Sequence, residues 1–451
     1  MTAPSRNIAC SLDNTLSFSD GGCFSNDRIF WGIIGVTKAF FIDPALKGES
    51  GHHLGFSREL SKAASAAGHK VVWLAHKDLD LHLVPDFVHF IPTFSSTIYE
   101  QQIGLFGRIL RPLVGNRRFL RSVLAERSWE TRLRQKSPLA WLNGDRSAEL
   151  VRVLRAVRPG KDDHLIVHSA DPQTVDMLSI WARGQLRDSL PGIHVRTCWP
   201  TSTMPFADYG GGFSRVARNL CSVSRAVTFS AETPAGARQL ANETGRDVNI
   251  CPHLPDEEIL RLLPCDRTCA TLTVGWLGGL RREKGTEIVA DIVGAVLAAK
   301  SDKLPLKFLL QCVGNSRKAK KLQAQLAEFG DAVEMLNVVV SRDEYLAALI
   351  RCDMLLLPYD ASDYPPERGS GTASEALLSG KPMIAMDGTF AATLIKTDSG
   401  AVGRDARTLA AGILTIAKNY DSFARGAERE RERARTSYNR EHCYRLLIGL
   451  T

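Results

Sequence analysis

The chain of 451 residues is 44% hydrophobic and 24% charged with ordinary Gly and Pro contents, which excludes a fibrous or wholly disordered protein. Its length exceeds what one hydrophobic core supports, so two domains of roughly 200 residues each are expected. The net charge of +8 is local: between Arg108 and Arg158 thirteen Lys or Arg face four Asp or Glu, and the remainder nearly cancels. Residues 1–35, rich in Ser, Asp, Asn and Gly without apolar periodicity, read as a poorly ordered extension. The apolar run IFWGIIGV is too short to cross a bilayer and leads into Thr37-Lys38 rather than a small-residue cleavage site, so neither a span nor a signal peptide is expected.

From there KAFFID reads as a strand, GESGHHLG as a glycine-rich turn, FSRELSKAASAAGH as an amphipathic helix stopped by Gly68, and KVVWLAH as the next strand. In the basic segment, Arg117, Arg118, Arg121, Arg152 and Arg155 lie among apolar residues at near-helical spacing. Such a segment suits an anionic membrane surface and equally a basic helix face whose apolar side belongs to the core. No nucleic-acid reading motif accompanies it. The ten cysteines are scattered, and Cys265 and Cys269 lack the companions of a zinc site, so reduced thiols in the cytoplasm and no metal are expected.

The same grammar returns after CPHLPDEE. LTVGWLGG is a strand, LRREKG a loop, TEIVADIVGAVLAA a helix and KFLLQCVG a strand; Ser341 and Glu344 form a capping-box pattern opening SRDEYLAALIRC, and MLLLP and PMIAM are short buried strands. Strands alternating with helices imply parallel sheets. The expected fold is α/β, with two doubly wound Rossmann-like domains facing across a cleft: 36–255, and 256–451 with its last helix packing back towards the first. Ligands of such sheets bind at the carboxyl ends of strands.

Two strand-to-helix junctions carry the chemistry. In ERGSGTASEALLSGKP, Thr372 and Glu375 fit a T-x-x-E capping box and Gly380 is placed to stop the helix. Glu375 then sits in a first helical turn and Glu367 in the loop before it, so the spacing does not make them an acid/base pair. Gly369, Ser370 and Gly371 offer backbone N–H groups to an anion; an ordinary capped helix has the same local pattern. In GGLRREKG, Arg281 and Lys284 precede the next helix, where two cations could meet the oxygens of a diphosphate; charged loops without a ligand are equally commonplace.

Together these stretches resemble the GT-B glycosyltransferases, in particular glycosyltransferase family 4 (group 1). GGLRREKG is similar to the family's G-x-x-R-x-E-K-G donor-phosphate loop, and ERGSGTASE to its E-x7-E pattern from Glu367 to Glu375. GESGHHLGFSREL is similar to the loop that closes the first domain over the donor. The resemblance implies that Arg281 and Lys284, with Gly278 at the turn, hold the diphosphate, Glu375 binds the ribose and Glu367 faces the donor sugar. Ser370, Gly371 and Thr372 would donate to phosphate and sugar, and Gly51 and His52 would approach from the other domain. His168, in LIVHSAD, matches a histidine near the reacting sugar, though a buried structural histidine fits equally well. Gly279 stands where many relatives carry arginine, which leaves the phosphate to Arg281 alone or with Arg282. Arg368 is an alternative to Glu367 for the sugar.

The resemblance further implies a retaining hexosyltransferase that uses a nucleotide-sugar, no metal and no cofactor. Its acceptor would be lipid-linked or a polysaccharide, reached in the cytoplasm or at the inner membrane face. A nucleotide-sugar epimerase and a non-catalytic nucleotide-sugar-binding protein share the fold and remain alternatives. A nicotinamide dehydrogenase is disfavoured, since no G-x-G-x-x-G opens a helix.

Overall fold

The computed structural model describes residues 36–48, 53–98, 146–205, 207, 209–255, 257–261, 271–278, 280–301, 304–336 and 341–450. Residues 1–35, Gly51, His52, Gly279 and the basic segment up to residue 145 lie outside the described residues.

Two parallel sheets organise the rest. The first contains β1 (Lys38–Asp43), β2 (Lys70–His76), β3 (Val88–Phe94), β4 (His164–Val167), β5 (Gly192–Thr197), β6 (Val227–Ala231) and β7 (Val248–Ile250), in the order β3-β2-β1-β4-β5-β6-β7. The second contains β8 (Leu272–Trp276), β9 (Leu306–Gln311), β10 (Val333–Leu336), β11 (Met354–Leu357), β12 (Met383–Met386) and β13 (Gly400–Gly403), in the order β10-β9-β8-β11-β12-β13. In each sheet the strand order reverses beside its first strand, between β1 and β4 and between β8 and β11. These are the switch points where loops diverge and leave a crevice. Phe40, Phe41 and Ile42 of β1 and all four residues of β11 are buried, as strands covered by helices on both faces require.

The helices of the first half are α1 (His53–Ala66), α2 (Arg146–Val157), α3 (Pro172–Arg183), α4 (Phe213–Val223) and α5 (Pro234–Thr244). A short α6 (Glu257–Arg261) follows, then α7 (Val289–Ala299), α8 (Arg317–Ala327), α9 (Arg342–Arg351), α10 (Gly371–Leu378), α11 (Phe390–Thr393), α12 (Ala406–Lys418), α13 (Tyr420–Ser437) and α14 (Arg440–Leu447). The capping box expected at Ser341 and Glu344 opens α9, with both reciprocal hydrogen bonds made. In α2, Leu150 and Leu154 are fully buried while Arg152 and Arg155 are exposed. In this part of the basic segment, therefore, the apolar side belongs to the core and the cations form a solvated face.

Residues Thr37–Thr451 form one compact unit, and the last helix explains part of its coherence. α14 leaves the second half and buries Cys443, Tyr444, Leu447 and Ile448 in the core beneath β1 and β2. Each large apolar side chain so buried stabilises by roughly 2 kcal/mol. Polar ties fix its position: Arg440 Nη1 lies 3.0 Å from Glu59 Oε2, and Asn249 Nδ2 donates to the Leu446 carbonyl at 2.8 Å.

Candidate active site

The second sheet supplies one wall, at the carboxyl ends of β8 and β11. After Trp276 the chain must turn at once, and Gly278 does so with φ 108°, where a Cβ would fall 2.5 Å from Lys284 Nζ and 3.1 Å from Thr372 Oγ1. Any side chain would be both strained and obstructed there. The Gly278 N–H donates to Gln311 Oε1 at 2.7 Å, which pins the turn to the end of β9. The stretch read as a loop contains a 3₁₀ turn, Arg282–Lys284, which ends at Gly285 with φ 84°. That turn carries the Lys284 side chain inward, where it is 5% exposed.

Lys284 Nζ donates to Thr372 Oγ1 at 3.5 Å and stands 5.5 Å above the Tyr359 ring. Burial pushes its amine down to about 7, and Arg281 pushes the same way, against the pull of Glu375 and Glu283. A negative charge brought near this buried amine would favour its protonated form, as Glu375 and Glu283 already do. Arg281 lines the approach: its side chain is half exposed, with Nε 3.7 Å from Glu283 and Nη2 3.5 Å from the Tyr364 hydroxyl.

One sequence expectation fails here. Thr372 does not cap α10; Ser370 does, in extended backbone, with its hydroxyl accepting from Ala373 N at 3.3 Å. The helix therefore starts at Gly371, Thr372 is inside it with its hydroxyl on Lys284, and Glu375 falls in the second turn. Ser370 and Thr372 offered two capping frames, and the earlier one is used; just before it, Gly369 passes tightly against Glu232. A Cβ on Gly369 would come 2.1 Å from the Glu232 carboxyl. Gly380, with φ 66°, follows the end of the helix as expected.

Glu375 is 7% exposed. Arg342 Nη1 lies 3.0 Å from its Oε1, and the Tyr345 hydroxyl donates to its Oε2 at 2.5 Å. The carboxylate is thereby held in one rotamer beside the start of α9. Glu367 has no hydrogen-bonding or ionic partner among the described residues and its backbone carbonyl abuts Gly236 of the first half. Arg368 Nη1 donates to the Asp363 carbonyl at 2.6 Å and its guanidinium stacks 3.9 Å over the Tyr364 ring.

The first sheet supplies a different wall. His168 is fully buried, with Nε2 2.9 Å from Ser57 Oγ and 3.2 Å from Asp43 Oδ2 and Nδ1 3.2 Å from Ser169 Oγ. Asp43, at the end of β1, is also 2.9 Å from His53 Nδ1. Burial alone would raise the Asp43 carboxyl, but His53 and His168 together hold it well below the usual carboxylate range. Burial lowers His168, against the pull of Asp43. These contacts give His168 a packed, fully engaged environment, the structural alternative admitted from the sequence.

Beside it Arg196, 1% exposed, donates from Nε to the Cys251 carbonyl at 2.8 Å and from Nη1 to the His168 carbonyl at 3.0 Å. Its Nη2 ends 3.5 Å from Glu232 Oε2.

The structure thus brings Gly278, Arg281, Lys284, Ser370, Gly371, Thr372 and Glu375 to one junction. It sets Glu367 and Arg368 on the adjoining loop and His168 in the opposite wall. Arg342, Tyr345, Tyr359 and Gln311 escaped sequence reasoning. The available signal was positional, since the capped α9 begins at the same end of the sheet as the two motifs. Among the described residues no group of three or more His, Cys, Asp or Glu is arranged to hold a metal ion.

Residues 271–419 match the family model described as glycosyl transferases group 1. No curated protein matches the sequence. Among solved structures, Anabaena HepE in complex with UDP and glucose shares 15% identity with a TM-score of 0.59, covering 92% of this chain and 98% of its own. The sucrose-phosphate synthase of Thermosynechococcus elongatus shares 17%, at a TM-score of 0.58, with 92% and 97% covered. The lipopolysaccharide outer core galactosyltransferase WaaB shares 13%, at a TM-score of 0.57, with 91% and 99% covered. The chain has their GT-B fold, and residues 271–419 in its second half are similar to the group 1 glycosyl transferases.

Proposed function

We propose that the protein is a glycosyltransferase of the family 4 kind, moving a hexose with retention from a nucleotide-sugar to a lipid-linked or polysaccharide acceptor. The convergence of Lys284, Thr372 and the N-terminus of α10 at the β8/β11 switch point carries this reading. A diphosphate placed there meets a buried ammonium, a half-exposed guanidinium and the free N–H groups of a helix, which together stabilise its charge as it leaves the sugar. Glu375, fixed by Arg342 and Tyr345, presents lone pairs to ribose hydroxyls. Glu367, with no partner among the described residues, faces the sugar. The complex of HepE with UDP and glucose supports a donor of this class, and the activity in WaaB's name supports a glycan or glycolipid acceptor.

In this reading the leaving charge is met by protein groups, with no metal required, and activity survives a chelator. The working place is the cytoplasm or the inner membrane face, reached through the basic segment. No helix among the described residues is long and apolar enough to cross a membrane, so attachment would be peripheral and would show as salt-sensitive co-sedimentation with anionic vesicles.

The deciding experiment is a thermal-shift screen of UDP-, GDP-, ADP- and TDP-sugars, followed by incubation of the best donor with and without acceptor. Acceptor-dependent release of nucleoside diphosphate with retained anomeric configuration supports the proposal. An isomerised donor would assign an epimerase, and binding without turnover on any acceptor a binding protein.

A further inference from the structure

The segment joining the two halves, read in the sequence only as a changeover, places an imidazole against the junction. His253 is 6% exposed and lies two residues after Cys251, whose carbonyl is held by Arg196. One face of the ring stacks on Phe56 of α1, with centroids 5.7 Å apart and planes at 17°; Phe56 also contacts the Arg196 guanidinium at 4.3 Å and His168 at 5.2 Å. On its other side the imidazole meets Gly371, the first residue of α10. A Cβ there would come 3.3 Å from His253 Cδ2 and 3.4 Å from Nε2. The ring edge is thus wedged between the first half and the helix start that faces Lys284 and Thr372.

Its electrostatic setting is unusual. The groups facing it are Arg196 from β5, Arg342 from α9, His53 from α1 and His168 beyond β4, with Glu232 and Glu375 set against the two arginines. Burial, reinforced by Arg196, Arg342 and the neighbouring imidazoles, pushes His253 down to about 3, and the positive end of α10 acts in the same direction. An anion at the start of α10 opposes that balance, because a negative charge nearby favours a proton on His253.

We propose that His253 is a further donor-binding group, one that gains a proton as the diphosphate arrives and presses a cation on it from the interdomain segment. The inference rests on the reading of this junction as a nucleotide-sugar site. It makes donor binding proton-coupled and ties the diphosphate to the segment on which the two halves would move.

The test is calorimetric titration with UDP, or with whichever nucleoside diphosphate most stabilises the protein, at about pH 6 in two buffers of different ionisation enthalpy. Lys284 already holds most of its proton there, since its amine titrates at about 7, and the proton change of the ligand's own terminal phosphate, which ionises at about 6, is subtracted from its free-solution titration before uptake is assigned to His253. The expected result is uptake approaching one proton in the unsubstituted protein. His253→Gln should abolish the uptake and weaken binding about tenfold, the scale of one charge-assisted hydrogen bond. Gly371→Ala, whose Cβ would crowd the intact imidazole by a few tenths of an ångström, should lower both in the same direction, by less. NMR of the unsubstituted protein should show the His253 ring protonating when pyrophosphate is added, a readout independent of either variant's folding. Unchanged uptake in His253→Gln, or a ring that stays neutral with ligand bound, overturns the proposal while leaving the site itself intact. Failure of the unsubstituted protein to bind any nucleoside diphosphate, or unchanged binding in Lys284→Met, would instead remove the underlying reading.

Discussion

The two walls of the crevice are built from the same topology and treat charge in opposite ways. In the first half, Asp43, His53, His168, Arg196 and Glu232 are all nearly inaccessible and engage one another. In the second, the Lys284 amine hydrogen-bonds a hydroxyl and faces a ring, with no salt bridge among the described residues, and Glu375 and Glu283 pull on it only from a distance. The difference teaches that burial alone does not mark a binding group. A buried charge whose partners are already present serves the fold, whereas one left short of a counter-charge is poised for a ligand.

Breaking the first wall should have the largest effect, and it should fall on stability. Asp43→Asn removes the ionised partner of two buried histidines and is expected to cost about 3–5 kcal/mol, measured as a lower urea midpoint, with nucleotide affinity retained in the folded fraction. The pH dependence has a definite sign. The folded Asp43 carboxyl titrates below its unfolded value, so its contribution is complete above about pH 4 and is lost as pH falls further. His168 is lowered in the folded state, so acidification below about 6.5 favours the unfolded chain, which takes up the proton more readily.

On the second wall, Lys284→Met should weaken nucleoside diphosphate binding by about a hundredfold in calorimetry, as expected when a buried charge-assisted contact is lost. Its melting temperature should not fall, because methionine fills the space without a buried amine. A loss of both stability and affinity would erase the contrast between the walls.

Next comes pH acting on the intact protein. Above about 7 the folded Lys284 sheds its proton, so affinity for a diphosphate should drop about tenfold over the following pH unit or so. The stability penalty of the buried ammonium is relieved over the same range, since the unfolded lysine keeps its proton to higher pH. The smallest effect sharpens the comparison. Tyr345→Phe deletes one hydrogen bond to Glu375 and should weaken binding about fivefold, close to one neutral hydrogen bond, while discrimination between ribose and 2′-deoxyribose falls.

The strands were legible because buried parallel strands are short apolar runs: KAFFID, KVVWLAH and MLLLP each became one. The cap at Ser341 was legible because both of its bonds are local. The start of α10 was misjudged because Ser370 and Thr372 both satisfy a local capping rule. The structure uses Ser370, and the glycine before it fits against Glu232, a residue from the other half. His253 and Tyr345 carried no motif at all.

By itself the sequence determined the periodicity of the elements, their parallel arrangement and the two strand-to-helix junctions, since these follow from hydrophobic spacing and glycine placement within a few residues. Only the tertiary structure decided which charges meet and which are already satisfied. A charge's worth depends on the solvent and counter-charges around it, and at Lys284, Asp43 and His253 those neighbours come from residues remote in the chain.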